Sequence, residues 1–509
     1  MIYQPDLATV RALKADQPDA NLAPVYRDVA ADLETPVSAF LKVARGDHSF
    51  LLESVEGGER LARYSFIGTE PYRVLRCGPY ADPGEGSDPL LEIERELSRF
   101  KLAQIENGPS SASGGLRTSL PRFTGGAVGF LAYEAARHFE PRVPVPTADP
   151  QGFPEALFMF TDTILVFDHL KHTIKVVSHC RLDGDLDASY RQACWRIDEL
   201  VERLARPLPA VPYPIERAPA RQQAVISNTE KADFLREVER CRDYIVAGDI
   251  YQVQVSQRFQ RPTHAHPFSV YRALRTVNPS PYMYYLAMGD ACIIGASPEM
   301  LVRVEDGLVE SHPIAGTRRR GRDAEDERRM EEELTTDEKE RAEHIMLVDL
   351  ARNDVGRIAQ PDTVRVTELL AVEKYSHVMH LVSHVVGRLK PELTSYDALR
   401  ACFPAGTVTG APKIRAMEII AELEKDRRGP YAGAVGYFDF SGNLDTAITI
   451  RTIVMKDGVA NAQAAGGIVY DSVPELEHME SQNKARGALR AIDQAELSEE
   501  AVPSGSLGY

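Results

Sequence analysis

The stretch GAVGYFDFSGNLDTAITIRTIVMKDGVANAQAAGGIVY, residues 433–470, limits most narrowly what this chain can fold into. It is rich in β-formers and is broken twice by two-residue turn signals, Ser441-Gly442 and Asp457-Gly458. Turns this short join antiparallel neighbours, because a parallel neighbour needs a crossover of a dozen or more residues. The segment therefore predicts an antiparallel meander. Within it Arg451 stands in the run TAITIRTIV, alternating with Thr449 and Ile453. An arginine in a half-buried strand needs an anionic partner, either an internal carboxylate or a bound carboxylate or phosphate. The small-residue run QAAGG, Gln463–Gly467, is either a bulge or a place where bare backbone approaches a ligand.

Upstream, helices and strands do not alternate strictly. Ser227 and Glu230 fit a capping box, and Phe234, Val238, Cys241 and Ile245 give one apolar helical stripe that Gly248 would end. IYQVQVSQRF then alternates, with Tyr251, Val253 and Val255 on one face and Gln252, Gln254 and Ser256 on the other. RYSFIG and DTILVFDHLKHTIKVV read as strands, set off by the loops ADPGEGSDP and NGPSSASGG. The class is α+β. The expected organisation is an N-terminal region 1–205, a proline-rich connector 206–220, a catalytic region 221–495 and a tail 496–509.

The 509 residues carry a net charge of -16, which argues against nucleic acid or an anionic membrane as partner. No apolar run approaches the ~20 residues of a membrane span. The start, MIYQPDLATV, lacks the basic and apolar parts of a signal peptide, so a cytoplasmic location is expected. The six cysteines are scattered without a C-x-x-C, which argues against a disulfide framework or zinc site.

Two Glu-x-x-Glu pairs stand out. EKERAEHIMLVDL carries Glu340 and Glu343, and ELEHMESQNKA carries Glu477 and Glu480. AEHIMLVDL is apolar around most of a helix, which predicts burial, with both glutamates at the edge of the packed face. Ser472, Pro474 and Glu475 mark the start of the second helix, where Glu477, Glu480 and Lys484 share a sector. A carboxylate so placed needs a cation, a donor or a proton. Either pair alone reads more readily as a solvated face or a surface ion pair. Together, on facing helices, they would suit Mg²⁺, which prefers oxygen ligands.

Other segments are weaker signals. FPAGTVTGAPKIRAMEIIAELE is a glycine-rich loop entering a helix at Pro412, either a structural turn or an anion site helped by Lys413. Ile414 stands where a phosphate-binding Walker loop needs Ser or Thr. In MHLVSHV, His380 and His384 read as one face of a helix.

Taken in order, SPEMLVRVEDGLVESHPIAGTRRRG, AEHIMLVDLARNDVGR, VEKYSHVMHLVSHVVG, FPAGTVTGAPKIRAMEII, RRGPYAGAVGYF and DSVPELEHMESQNKARGALRAI resemble the chorismate-utilising enzymes, most closely component I of anthranilate synthases. LLES and RYSFIG match too. The resemblance implies a two-lobed α+β unit with large packed antiparallel sheets and helices outside. It implies that Glu343 and Glu480, supported by Glu340 and Glu477, hold a Mg²⁺ that binds the ring carboxylate of chorismate. The matched substrate contacts are Gly316, Thr317, Tyr431, Arg451, Lys484 and the backbone of Ala465, Gly466 and Gly467. His380 matches the histidine that assists elimination. At Ala465 the family often has glycine.

The outcome of the reaction is implied by two further positions. Relatives that add water carry a lysine base where this chain has Gln252, and a glutamine cannot deprotonate water. Ammonia is then the expected nucleophile. Most aminodeoxychorismate synthases carry a lysine where this chain has Ala315, which favours anthranilate and pyruvate as products. The alternatives are aminodeoxychorismate synthesis or a non-catalytic chorismate or tryptophan sensor. No glutaminase segment is visible, so ammonia is expected from a separate glutamine amidotransferase subunit, in a heterotetramer of two large and two small subunits. LLES and NPSPYMYYL match the family's effector pocket. They place Ser54, Pro281, Tyr282 and Met283 around inhibitory L-tryptophan.

Overall fold

The computed structural model describes residues 3–54, 63–81, 88–105, 120–210, 224–375 and 378–500. Two antiparallel sheets, of twelve and ten strands, form the frame. The larger runs Leu22–Ala30, Thr173–Arg181, Thr163–Asp168, Tyr64–Thr69, His48–Glu53, Tyr282–Met288, Ala291–Ser297, Thr452–Lys456, Val459–Ile468, Gln252–Pro262 and Gly410–Ala411, with Ile226–Ser227 also on Gln252–Pro262. The smaller runs Ile314–Arg319, Val378–Arg388, Leu308–Ser311, Met300–Glu305, Leu444–Ile448, Ala434–Asp439, Gly126–Leu131, Ala156–Thr161 and Arg73–Cys77. Arg365–Lys374 also pairs with Val378–Arg388.

Alternation along the strands gives each sheet two apolar faces, and each face is covered. Between the sheets lie Val128, Phe130, Met159 and Val435 from one, and Ile164, Val177, Leu286 and Ile293 from the other. Helices Leu186–Leu204 and Pro267–Val277 place Ile197 and Phe268 over the outer side of the larger sheet, against Val176 and Ile294. Helices Pro89–Leu97 and Ser395–Cys402 place Ile93 and Leu399 in the core on the outer side of the smaller sheet. Each such side chain contributes about 1.5–3 kcal/mol by leaving water. The expected packed sheets with outer helices are therefore present.

The two halves of the sequence are interwoven. Leu51 of LLES pairs with Tyr285, and Gly129 pairs with Gly436, so each sheet contains strands from both sides of the connector. Most of the connector and of the two loops ADPGEGSDP and NGPSSASGG lies outside the described residues. The C-terminal helix, Pro474–Glu500, continues past the expected boundary at 495. Glu496 is fully buried there and pairs with Arg261.

Three local expectations are corrected. The capping box at Ser227 does not form. Helix Lys231–Val246 starts after Glu230 without a side-chain cap, and the Ser227 hydroxyl instead donates to Gln257 Oε1 at 2.9 Å. The run TAITIRTIV is not one strand. The chain leaves the smaller sheet after Ile448 and enters the larger at Thr452, with Arg451 in the break at φ 53°. His380 and His384 lie on strand Val378–Arg388, not on a helix.

Candidate active site

Helix Glu338–Ile358 begins at Asp337, whose carboxylate accepts from the backbone N–H of Lys339 at 3.0 Å and of Glu340 at 3.1 Å. Arg318 then bridges Asp337 at 2.9 Å and Glu340 at 3.1 Å. The helix is buried on one face only: His344, Leu347 and Val348 are buried, while Ile345 is 40% exposed. That corrects the expectation of burial around most of its circumference. One turn along, Glu343 Oε1 accepts from Gln252 Nε2 at 3.2 Å.

The second pair sits on helix Pro474–Glu500, against strand Val459–Ile468. Lys484 Nζ lies 2.6 Å from Glu480 Oε1 and donates to the Ala465 carbonyl at 2.9 Å. Glu477 is buried, and its Oε2 has no hydrogen-bond partner among the described residues. Space for that oxygen exists because residue 466 is glycine; a Cβ there would stand 2.5 Å from it. A Cβ on Gly467 would stand 2.7 Å from Gln252 Nε2. The two glycines are thus bare backbone facing the acidic site.

Burial raises the Glu343 carboxyl above its ordinary range, opposed by Gln252 and reinforced by the charges of Glu340 and Glu480. Burial raises Glu477 likewise, opposed by Ser472 and reinforced by Glu480. The four carboxylates share one electrostatic neighbourhood. Among the described residues, however, no three of them bring oxygens within 4.8 Å of one another. Like charges repel, and Arg318 and Lys484 each hold one carboxylate aside.

Strand Val378–Arg388, paired with Ile314–Arg319, brings His380 beside Gly316 and Thr317. His380 Nδ1 donates to the Gly316 carbonyl at 2.9 Å and lies 3.1 Å from Thr317 Oγ1. The Nδ1–H bond leaves Nε2 as the basic nitrogen. Burial, aided by the Arg451 charge, lowers the imidazole below its usual value. Gly316 has φ 65°, a conformation that glycine adopts without steric cost, and a Cβ there would approach Leu334 and Glu340.

Arg451 has no side-chain hydrogen bond or ion pair among the described residues, and burial lowers its basicity. It faces Tyr431, Glu480 and Glu299 electrostatically. The internal-carboxylate alternative is therefore not realised as a contact. Lys413 behaves oppositely: it pairs with Asp354 at 2.7 Å and donates to the Cys402 carbonyl at 3.2 Å, which removes it as a free anion ligand. Tyr431 is buried, with Arg428 5.7 Å over its ring. Burial pushes its hydroxyl up to about 12.

Sequence reading passed over Glu299. It is 8% exposed, and burial pushes it up to about 8, opposed by Thr407, Arg451 and Lys484. Its signal was a lone acid inside the apolar run IIGASPEMLV. A separate cavity of about 610 Å³ is lined by Ser54, Pro281, Tyr282 and Met283 together with Tyr437 and Arg303. The four predicted effector residues are thus assembled, because Glu53 and Met283 are directly paired across adjacent strands.

A family model described as chorismate binding enzyme matches residues 47–490. The chain belongs to the chorismate binding enzyme family. It is 48% identical over 513 residues to an anthranilate synthase component 1 of Acetivibrio thermocellus, covering 97% of this chain and 99% of that relative. It is 45% identical to one of Pseudomonas aeruginosa, covering 94% and 97%. The solved anthranilate synthase component I of Streptococcus pneumoniae superposes with a TM-score of 0.72 at 36% identity, over 91% of this chain and 99% of that one. A menaquinone-specific isochorismate synthase of Escherichia coli shares the fold, with a TM-score of 0.68 at 18% identity, over 96% and 100%. No helix among the described residues is long and apolar enough to cross a membrane.

Proposed function

We propose that this chain converts chorismate and ammonia to anthranilate and pyruvate, as the first committed step toward tryptophan. The observation that carries this reading is Gln252, whose amide donates to Glu343 beside the bare backbone of Gly467. A neutral amide at that place orients groups without removing a proton from water, so the nucleophile arrives already basic, as NH₃. Ala315 offers no amine to attack the ring, which separates this reading from aminodeoxychorismate synthesis.

The Arg451 guanidinium, unshared among the described residues, and the backbone of 465–467 bind the substrate's carboxylates. Tyr431 closes the pocket, and Thr317 orients His380. His380, held neutral, moves the proton when pyruvate leaves. The four glutamates fit Mg²⁺: they are oxygen donors, two are raised by burial, and Glu477 Oε2 lacks a partner among the described residues. Bound there, Mg²⁺ supplies Lewis-acid stabilisation of a substrate carboxylate.

Ammonia comes from a separate glutamine amidotransferase subunit, in a heterotetramer with two copies of each chain, in the cytoplasm. L-Tryptophan occupies the cavity at Ser54 and Met283 and inhibits. The test is the purified chain with chorismate, Mg²⁺ and ammonium at alkaline pH, followed by product fluorescence and pyruvate release. Anthranilate with ammonium, and none with glutamine alone, is expected. A 4-amino product without pyruvate sinks the reading.

A further inference from the structure

On the smaller sheet, three metal-ligating side chains other than the four glutamates converge. His312 lies between strands Leu308–Ser311 and Ile314–Arg319, Glu373 on strand Arg365–Lys374, and His384 on strand Val378–Arg388. One ligand atom from each lies within 4.8 Å of the other two. His312 Nε2 is 3.7 Å and His384 Nε2 3.9 Å from the same oxygen, Glu373 Oε1. The imidazole centroids are 3.8 Å apart.

Those separations are too long for hydrogen bonds. His312 is only 5% exposed, and its Nε2 has no hydrogen-bond partner among the described residues. A buried ring nitrogen aimed at an oxygen it does not reach calls for an occupant between them. Around tetrahedral zinc, donors at about 2.0–2.2 Å stand roughly 3.4 Å from each other, so small side-chain movements close the three atoms on one ion. The donor set also discriminates. Two imidazoles with one carboxylate suit zinc-class ions, whereas magnesium prefers oxygen alone. The Tyr375 hydroxyl donates to Glu373 Oε2 at 2.7 Å and leaves Oε1 turned to the histidines. Glu368 Oε2, 3.4 Å from His384 Nε2, stands at the open side.

We propose that His312, Glu373 and His384 form a second cation site, selective for a zinc-class transition metal and separate from the glutamate cluster. An ion there would tie three backbone segments together. One is the link four residues before Gly316, and another is the strand that carries His380. Occupancy would stiffen those segments.

The test uses the full chain stripped with a chelator and then held in excess Mg²⁺. Co²⁺ serves as a spectroscopic probe and Zn²⁺ is titrated calorimetrically. Expected is one equivalent per chain with the strong visible absorption of four-coordinate Co²⁺. His384→Gln and Glu373→Gln are expected to weaken both ions at least about tenfold. Glu343→Gln is expected to leave them unchanged, and circular dichroism checks that each variant is folded. Absence of binding, equal binding in His384→Gln and Glu373→Gln, or loss in Glu343→Gln overturns the site. Should His384→Gln misfold, His384→Asn carries the same comparison.

Discussion

Gly466 lies against the carboxylate of Glu477 so closely that a Cβ on the glycine would stand 2.5 Å from Oε2. The atom in the way is the end of a side chain, not backbone. Gly466→Ala is therefore expected to displace Glu477 with a melting temperature change of only a few degrees. The Mg²⁺ concentration for half-maximal activity should rise at least about tenfold. An unchanged Mg²⁺ requirement in a folded variant removes Glu477 from the metal's surroundings.

Glu343→Gln and Glu480→Gln each exchange an anionic oxygen donor for a near-isosteric amide. Turnover at limiting Mg²⁺ is expected to fall about 100-fold or more, with the far-ultraviolet dichroism unaltered. Normal rates in either variant at low Mg²⁺ would place the metal elsewhere.

Burial holds Glu343 and Glu477 above the ordinary carboxylate range. In the metal-free fold such a group weakens stability as pH climbs past its unfolded value, because the unfolded chain releases its proton first. Mg²⁺ favours the ionised forms and reverses that loss. Stabilisation by Mg²⁺ should therefore grow as pH rises out of the ordinary carboxylate range. Thermal denaturation with and without Mg²⁺, within the ordinary carboxylate range and well above it, checks this, and a constant shift contradicts it.

The cavity at Ser54 predicts desensitisation without loss of catalysis. Ser54→Arg fills space beside Met283 and is expected to raise the tryptophan concentration for half-inhibition at least about tenfold while ammonia-dependent turnover stays near normal. Linkage further requires saturating chorismate to weaken tryptophan binding in calorimetry. Inhibition of Ser54→Arg at the original concentration would move the effector away from this cavity.

The placement of the two glutamate pairs on helices was legible because it is written in local spacing. Glutamates three apart on a helix fall on one side whatever the rest of the chain does, and both pairs lie where that spacing put them. The misreadings have physical causes. His380 and His384 are four apart, and four is close to one helical turn and also two strand repeats, so the spacing does not decide between helix and strand. Arg451 looked like a strand residue because its neighbours are β-formers. The change of sheet at 449–451 is a tertiary event that no local propensity encodes. Lys413 meets an acid 59 positions away, and Glu299 reaches Arg451 and Lys484 only through the fold.

The interweaving of the sheets sets a timetable for the growing chain. Strand Gly126–Leu131 has Ala434–Asp439 as one of its two neighbours, and among the described residues no other strand supplies that edge. About 300 residues must be added between them, which at ~5–20 residues per second takes roughly 15–60 s. Throughout that interval the ribosome carries a nascent sheet with an open, apolar flank, the kind of edge that invites pairing with other chains. Closure of that flank by its native partner therefore waits on synthesis of residue 439.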